Sequence, residues 1–76
     1  MSSFIKLHFG ITVRSSVECG STIAINTNSI QEYRQESLWE DGRPRAEYTI
    51  MKLTDGSIYN IFETVEMIDE KLGVLK

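Results

Sequence analysis

Apolar and polar residues alternate along most of the chain, which is the pattern of β-strands with side chains on opposite faces. In the first segment Ile5, Leu7 and Phe9 share one face, while Lys6 and His8 share the other. The same alternation recurs at residues 22–25, 30–35, 46–53 and 57–62. Because only short connections separate these segments, we expect antiparallel neighbours.

Turn-forming residues divide the strand segments. Residues 26–29 predict a turn, because Asn and Ser side chains compete for main-chain hydrogen bonds. Residues 40–45 predict the clearest loop, since Pro44 disfavours a central strand. Asp55-Gly56 predicts a tight hairpin. The small, polar stretch 15–21 is interpreted as a loop with at most a short edge pairing.

From Thr64 the apolar period lengthens. Val65, Ile68 and Leu72 fall at helical spacing, with acidic residues elsewhere on the wheel. Thr64 suits an N-cap, and Gly73 suits the C-terminal cap. A helix this short needs tertiary contacts, so we expect it to dock on the sheet.

These elements predict an α+β fold: a small curved antiparallel sheet of about five strands with one C-terminal α-helix. Residues 1–76 are expected to form a single domain. It comprises a strand-rich part (4–63), the helix (64–72) and a hairpin extension (32–47). The predicted core consists of Ile5, Leu7, Ile23, Ile25, Ile30, Ile50, Leu53, Ile58, Ile61, Val65, Ile68 and Leu72. The inward face of residues 48–53 is left open, because both faces carry apolar side chains.

Composition is that of an ordinary globular chain, with 41% apolar residues, 25% charged residues and a net charge of −3. It excludes collagen-like, disordered and coiled-coil classes. Apolar runs are too short to predict a membrane span. A lone cysteine, Cys19, cannot form an internal disulfide, which favours a reducing, cytoplasmic setting.

No residue pattern predicts an enzyme, a metal site or a cofactor. His8 is interpreted as a surface residue, and with Cys19 alone it cannot supply the ligands that zinc needs. Cys19 has no convincing base partner. The acids Glu66, Asp69 and Glu70 are interpreted as a solvated helix face. The glycines are scattered, so no phosphate-binding loop is predicted.

The hairpin extension carries the strongest candidate contact residues, which are Tyr33, Arg34, Trp39, Arg43 and Arg45. Arginine and aromatic side chains are frequent anchors of protein interfaces. They also suit single-stranded nucleic acid. The segment's three arginines are outnumbered by five acids, which favours a protein partner. In the alternative interpretation, Trp39 folds back onto the core.

Several motifs resemble the small FlbD/SwrD family of bacterial and phage-borne proteins, often described as flagellar regulators. The resemblance lies in the opening Phe4-Ile5-Lys6-Leu7, the segment Ile25–Ile30, the Leu53-Thr54-Asp55-Gly56 turn and the terminal Glu63–Ile68 segment. This chain is longer than the family pattern between Leu7 and Thr22, and between Glu36 and Glu47. The resemblance implies a sheet-plus-helix fold and supplies no catalytic residues.

We therefore expect a small, cytoplasmic, non-catalytic regulatory module that acts by protein–protein contact, with a homodimer as one form of that contact. One alternative is a phage or mobile-element accessory protein. Such a protein would inhibit a host defence complex or sequester a small nucleotide signal. A second alternative is single-stranded nucleic-acid binding, for which steep weakening by salt would be the signature. Binding to a membrane is not expected.

Overall fold

The computed structural model describes residues 3–73, which form one five-stranded antiparallel sheet followed by one α-helix. The strands are β1 (Phe4–Val13), β2 (Ser16–Asn26), β3 (Ile30–Glu40), β4 (Arg43–Leu53) and β5 (Ile58–Ile61), and the helix is α1 (Val65–Leu72). Their order across the sheet is β2-β1-β5-β4-β3. The predicted α+β class, with its curved sheet and C-terminal helix, is confirmed.

The β3–β4 hairpin is longer than the sequence predicts. Its turn contains only Asp41 and Gly42, whose φ angles of 54° and 75° suit the mirror-image turns that match strand twist. Residues 40–45 are therefore not a loop. Pro44 fits because it pairs with Trp39 in a part of β4 that β5 does not reach, so no second neighbour needs its N–H.

The β1–β2 hairpin corrects a second prediction. Residues 16–21 belong to β2, and register pairs join Gly10 with Cys19 and Val13 with Ser16. Pairing with β1 supplies the main-chain hydrogen bonds, so small polar side chains do not prevent a strand here. The register slips between His8 and Gly10, which marks an irregularity in the middle of this hairpin.

The predicted Asp55-Gly56 hairpin between β4 and β5 is confirmed. Gly56 has φ +95°, a conformation that favours glycine. The Asp55 carboxylate accepts a hydrogen bond from the Ser57 backbone N–H at 2.8 Å. That bond holds the pKa of Asp55 below its ordinary value.

The sheet curls because a single 3₁₀ turn, Thr27–Ser29, joins its two edge strands, β2 and β3. The Thr27 N–H donates to the Ser3 carbonyl at 2.9 Å, and the Thr54 N–H donates to the Ser29 carbonyl at 2.8 Å. The turn predicted at residues 26–29 is confirmed. Strand β2 consequently contacts both β3 and β4 across the concave side of the sheet.

The two hairpin units meet where β1 pairs with β5, at Phe9 and Ile61. A Cβ atom on Gly10 would lie 3.1 Å from the Ile61 carbonyl carbon and 3.1 Å from the Phe62 nitrogen. Gly10 therefore permits a close main-chain approach at this junction. The Phe62 N–H donates a hydrogen bond to the His8 carbonyl at 2.8 Å, which adds a second main-chain contact to the junction of β1 and β5.

The core lies between the concave face of the sheet and α1. Its buried members are Leu7, Ile25, Met51, Ile61 and Ile68, with Ile5, Ile23, Ile30, Tyr33, Leu53, Tyr59 and Leu72 packed around them. The prediction missed Met51, which faces inward with Leu53. It was wrong for Ile58, which is 62% exposed. Ile50 and Val65 are half-buried but lie outside this cluster, Ile50 because it alternates to the opposite face of β4.

Helix α1 begins and ends as its sequence predicts. The Met67 N–H donates to the Thr64 hydroxyl at 3.3 Å, which makes Thr64 the N-cap. Gly73 takes the left-handed conformation with φ 77°, and its N–H bonds the carbonyls of Asp69 and Glu70. Ile68 is the buried residue that docks the helix.

Candidate functional site

The far end of the β3–β4 hairpin carries three of the predicted contact residues. Strand β5 pairs with β4 only from Thr49 to Lys52, so residues 36–48 form a two-stranded ribbon beyond it. We call this segment the distal ribbon. Trp39, Arg43 and Arg45 lie together near its turn, and all three are exposed.

Trp39 does not fold back onto the core. Its side chain is 65% exposed, the largest exposed fraction among the exposed large apolar residues of the described chain. It sits opposite Pro44 in the hairpin register. An exposed tryptophan between arginines is a side chain whose burial against a partner would release much apolar surface from water.

The arginines differ in whether they form ion pairs. Arg45 Nε lies 3.6 Å from Glu40 Oε1, and Arg34 Nη1 lies 3.7 Å from Glu36 Oε1. These are exposed pairs of the kind that contributes little to stability. Arg43 forms no ion pair with any residue of the described range. Its guanidinium is therefore available to a partner's carboxylate.

Arg34 is placed apart from the other arginines. It lies five positions before Trp39 on β3, pairs with Ile50, and alternates to the opposite face of the strand from Trp39. Arg43 sits opposite Glu40 in the register, so it too alternates to the face opposite Trp39, and the arginines surround the ribbon instead of sharing one face with the tryptophan. We call Trp39 and the three arginines the ribbon surface.

Tyr33 is engaged within the fold. Its hydroxyl donates a hydrogen bond to the Asp69 carboxylate of α1, and its ring packs against the core. Burial, with the hydrogen bond to Asp69 and the charge of that carboxylate, raises the pKa of Tyr33 to about 12. Tyr33 thus anchors the helix to β3. Asp69, predicted to belong to a solvated face, is the other half of that anchor.

A second polar cluster, not predicted from the sequence, lies where β1 meets the end of β5. Glu63 is buried, with 7% of its surface exposed. Its carboxylate accepts two hydrogen bonds from His8: the backbone N–H at 2.8 Å and ring Nδ1 at 2.7 Å. His8 keeps 39% of its side chain exposed, as a surface residue would, but its bonds to Glu63 were not predicted.

Two further observations show that this cluster is satisfied internally. The buried Thr49 hydroxyl donates to the Glu63 carbonyl at 2.7 Å. In the described part of the chain, no buried side-chain nitrogen or oxygen lacks a hydrogen-bond partner. Burial acts to raise the pKa of Glu63, but the hydrogen bonds from His8 outweigh it, and that pKa lies below its ordinary value.

The ionised Glu63 carboxylate also fixes the tautomer of His8. A carboxylate accepts but does not donate, so Nδ1 of the His8 ring must carry the proton. Nε2 is the ring nitrogen that does not face Glu63. The Glu63 carboxylate thus orients the His8 ring. Because it also accepts a hydrogen bond from the main chain of β1, Glu63 has a structural role as well.

Sequence signals for this cluster were weak. His8 and Glu63 are 55 residues apart, and neither sits in a local motif. The one available hint was Glu63 directly before the N-cap Thr64, at the end of the predicted sheet. Across residues 3–73, no three His, Cys, Asp or Glu side chains are grouped so as to hold a metal ion.

Comparisons with known proteins add nothing to this geometry. No family model matches the chain, and searches of curated proteins and of solved structures found no significant match. The resemblance to the FlbD/SwrD family therefore stays a prediction from the quoted motifs. None of the helical segments in the described range has the length and apolar character needed to cross a membrane.

Proposed function

We propose that this protein is a small regulatory module, cytoplasmic and non-catalytic, that binds a protein partner through the ribbon surface. The observation that carries the proposal is Trp39, which is 65% exposed on a two-stranded ribbon. Large aromatic and arginine side chains supply most of the binding energy at protein interfaces. The regulatory part of the proposal follows the FlbD/SwrD resemblance.

The charges of the ribbon favour a mixed-charge protein surface as the partner. Arg43 offers an unpaired guanidinium within the described range, and Arg45 and Arg34 each sit beside a carboxylate. A phosphate backbone would meet those carboxylates as well as the arginines, at a cost in repulsion. A partner that presents an apolar pocket beside an acidic group fits the surface better.

The test compares Trp39→Ala with Phe4→Ala in the full chain. Phe4 is a matched control, because it is 63% exposed and also aromatic but belongs to the start of β1. Tagged protein is used to capture partners from cells that also make an untagged copy, and the captured proteins are quantified by mass spectrometry. Circular dichroism confirms that each variant is folded.

The expected result is that Trp39→Ala loses one captured protein that Phe4→Ala retains. An anchor tryptophan is worth about 2 kcal/mol or more, which is about a 30-fold increase in dissociation constant. If the two variants and the unmodified chain capture the same proteins in the same amounts, the ribbon surface is not the contact site.

A further inference from the structure

Strand β3 is an open edge of the sheet. The strand order gives it one neighbour, β4, so its other side presents unpaired main-chain N–H and C=O groups. Natural edge strands are commonly protected by proline, lysine or a bulge. Neither proline nor lysine occurs between Ile30 and Glu40. The register with β4 slips near the two ends of β3, between Ile30 and Glu32 and between Leu38 and Trp39, and is uninterrupted from Glu32 to Leu38.

The opposite edge, β2, is less suited to pairing. Its register with β1 slips between His8 and Gly10, in the middle of the strand, and Gly20 stands beside that irregularity. Such an irregularity bends an edge and interrupts a ladder. A regular stretch centred on Gln35 makes β3 the edge on which another strand would fit.

The charges along β3 are self-complementary in one symmetric register. When two copies of β3 pair antiparallel about a twofold axis at Gln35, Arg34 of one copy lies opposite Glu36 of the other, and the reverse. Shifting the axis by one residue places Arg34 opposite Arg34, or Glu36 opposite Glu36. Directly opposed like charges destabilise a strand pair, so the neighbouring registers are disfavoured.

The same register also covers Trp39. Trp39 and Tyr33 are six positions apart on β3 and therefore share a face. With the axis at Gln35, Trp39 comes directly after the regular stretch, and Tyr33 of the second copy is its diagonal neighbour. Diagonal neighbours lie within reach of aromatic side chains. The exposed tryptophan would then lie against the second copy near its core face.

We infer that the partner of the ribbon surface is a second copy of this chain, joined by antiparallel pairing of β3 about Gln35 into one continuous sheet. The inference rests on the proposed function and names the partner. Residues Arg34, Glu36 and Trp39 carry it: the two charges set the register, and the tryptophan supplies the buried area.

Sedimentation velocity over a range of concentrations tests the association. The unmodified chain should sediment as a dimer. Arg34→Glu and Glu36→Arg should each raise the dissociation constant by about tenfold or more, since every reversal acts twice in a symmetric dimer. The double variant with both reversals should regain the dimer, because opposite charges again face each other. Trp39 is the chain's one tryptophan, so its fluorescence should shift to the red on dilution.

A disulfide test reports the register directly. In a Cys19→Ser background, Gln35→Cys places two thiols opposite each other at the twofold axis. Directly opposed residues have Cα atoms roughly 4.5–5.5 Å apart, which is within disulfide range. Mild oxidation should cross-link Gln35→Cys rapidly and the matched control Ser37→Cys slowly, because Ser37 is uncharged and lies opposite Tyr33 in this register. Cys19 is exposed, so replacing it should leave the fold unchanged.

Three results would overturn the inference. They are a monomer at every concentration, a dimer that both single charge reversals leave intact, or equal cross-linking of Gln35→Cys and Ser37→Cys. A monomer that still captures a different protein in a Trp39-dependent manner refutes the second-copy partner and leaves the proposed function standing. A monomer whose captured proteins do not depend on Trp39 refutes both.

Discussion

Replacing Glu63 with glutamine tests whether the buried carboxylate holds the junction of β1 and β5. In the protein each carboxylate oxygen accepts one hydrogen bond from His8, at 2.8 Å and 2.7 Å. Glutamine has the same shape, but it can accept at only one of those positions. Its amide nitrogen must therefore face either the backbone N–H or the ring.

Glu63→Gln is expected to lower the free energy of unfolding by about 2 kcal/mol at pH 7. A hydrogen bond to a charged group contributes roughly 1.5–3 kcal/mol, and a buried donor left without its acceptor adds to the penalty. The His8 ring can relieve part of it by changing tautomer, which keeps a neutral hydrogen bond. Urea unfolding followed by circular dichroism gives the free energy of unfolding of each variant.

The pH dependence of this loss has a definite sign. The folded state lowers the pKa of Glu63 from its ordinary value of 4.5, so the ionised carboxylate stabilises the fold. That contribution is complete above the ordinary pKa and disappears as pH falls through the lower, folded-state pKa. The difference between the unmodified chain and Glu63→Gln should therefore be largest near neutrality and shrink in acid.

Glu70→Gln is the matched control. Glu70 is exposed in the last turn of α1, where a negative charge opposes the helix dipole, so its removal should be neutral or slightly stabilising. A Glu63→Gln loss below about 0.5 kcal/mol at pH 7 would refute the structural role of the carboxylate. A loss that stays the same from pH 7 to pH 3 would refute its assignment to the ionised form.

Three other outcomes are expected. Tyr33→Phe should lower the free energy of unfolding by about 1 kcal/mol, because the hydrogen bond to Asp69 is lost. The unmodified chain should become less stable between about pH 10 and 12, where Tyr33 ionises in the unfolded chain but not in the folded one, and Tyr33→Phe should not show this decrease; urea unfolding at alkaline pH would measure both. Met51→Ala should destabilise the fold by about 2–5 kcal/mol, since Met51 is 0% exposed, and retention of the full unfolding midpoint would contradict the core assignment. Trp39→Ala should change the stability of the monomer by less than about 0.5 kcal/mol at concentrations too low for association, and a larger loss would mean that Trp39 supports the fold itself.

Features fixed by local chemistry were predictable from the sequence. Thr64 and Gly73 cap α1 through hydrogen bonds to main-chain atoms within four residues. Asp55 and Gly56 form their turn in the same local way. Such contacts need only neighbours along the chain, so the residue type carries the information.

Features fixed by the pairing of one strand with another were not predictable. The small, polar residues 16–21 become a strand because β1 lies beside them. Likewise, Ile58 is a β-branched apolar residue in a strand, yet its side chain faces solvent, while Met51 faces the core. Alternation alone leaves open which face is inward when both carry apolar side chains.

The candidate site also contains residues that could be predicted from the sequence and residues that could not. Trp39, Arg43 and Arg45 were singled out by residue type, and they are neighbours because a two-residue turn brings β3 and β4 together. Tyr33 fits the same composition but turns toward α1, where Asp69 meets its hydroxyl. The pair of His8 and Glu63 depends on the closure of the sheet, which no local pattern records.

The junction between β1 and β5 sets an order for folding. The β1–β2, β3–β4 and β4–β5 hairpins each join segments that are adjacent along the chain, so they can form at low loop-closure entropy. The pairing of Phe9 with Ile61 joins the two ends of the chain. Contacts of such long sequence separation slow folding. We therefore expect the hairpins to form first and the contact between Phe9 and Ile61 to form at the barrier, so that substitutions at Gly10 slow refolding more than they speed unfolding.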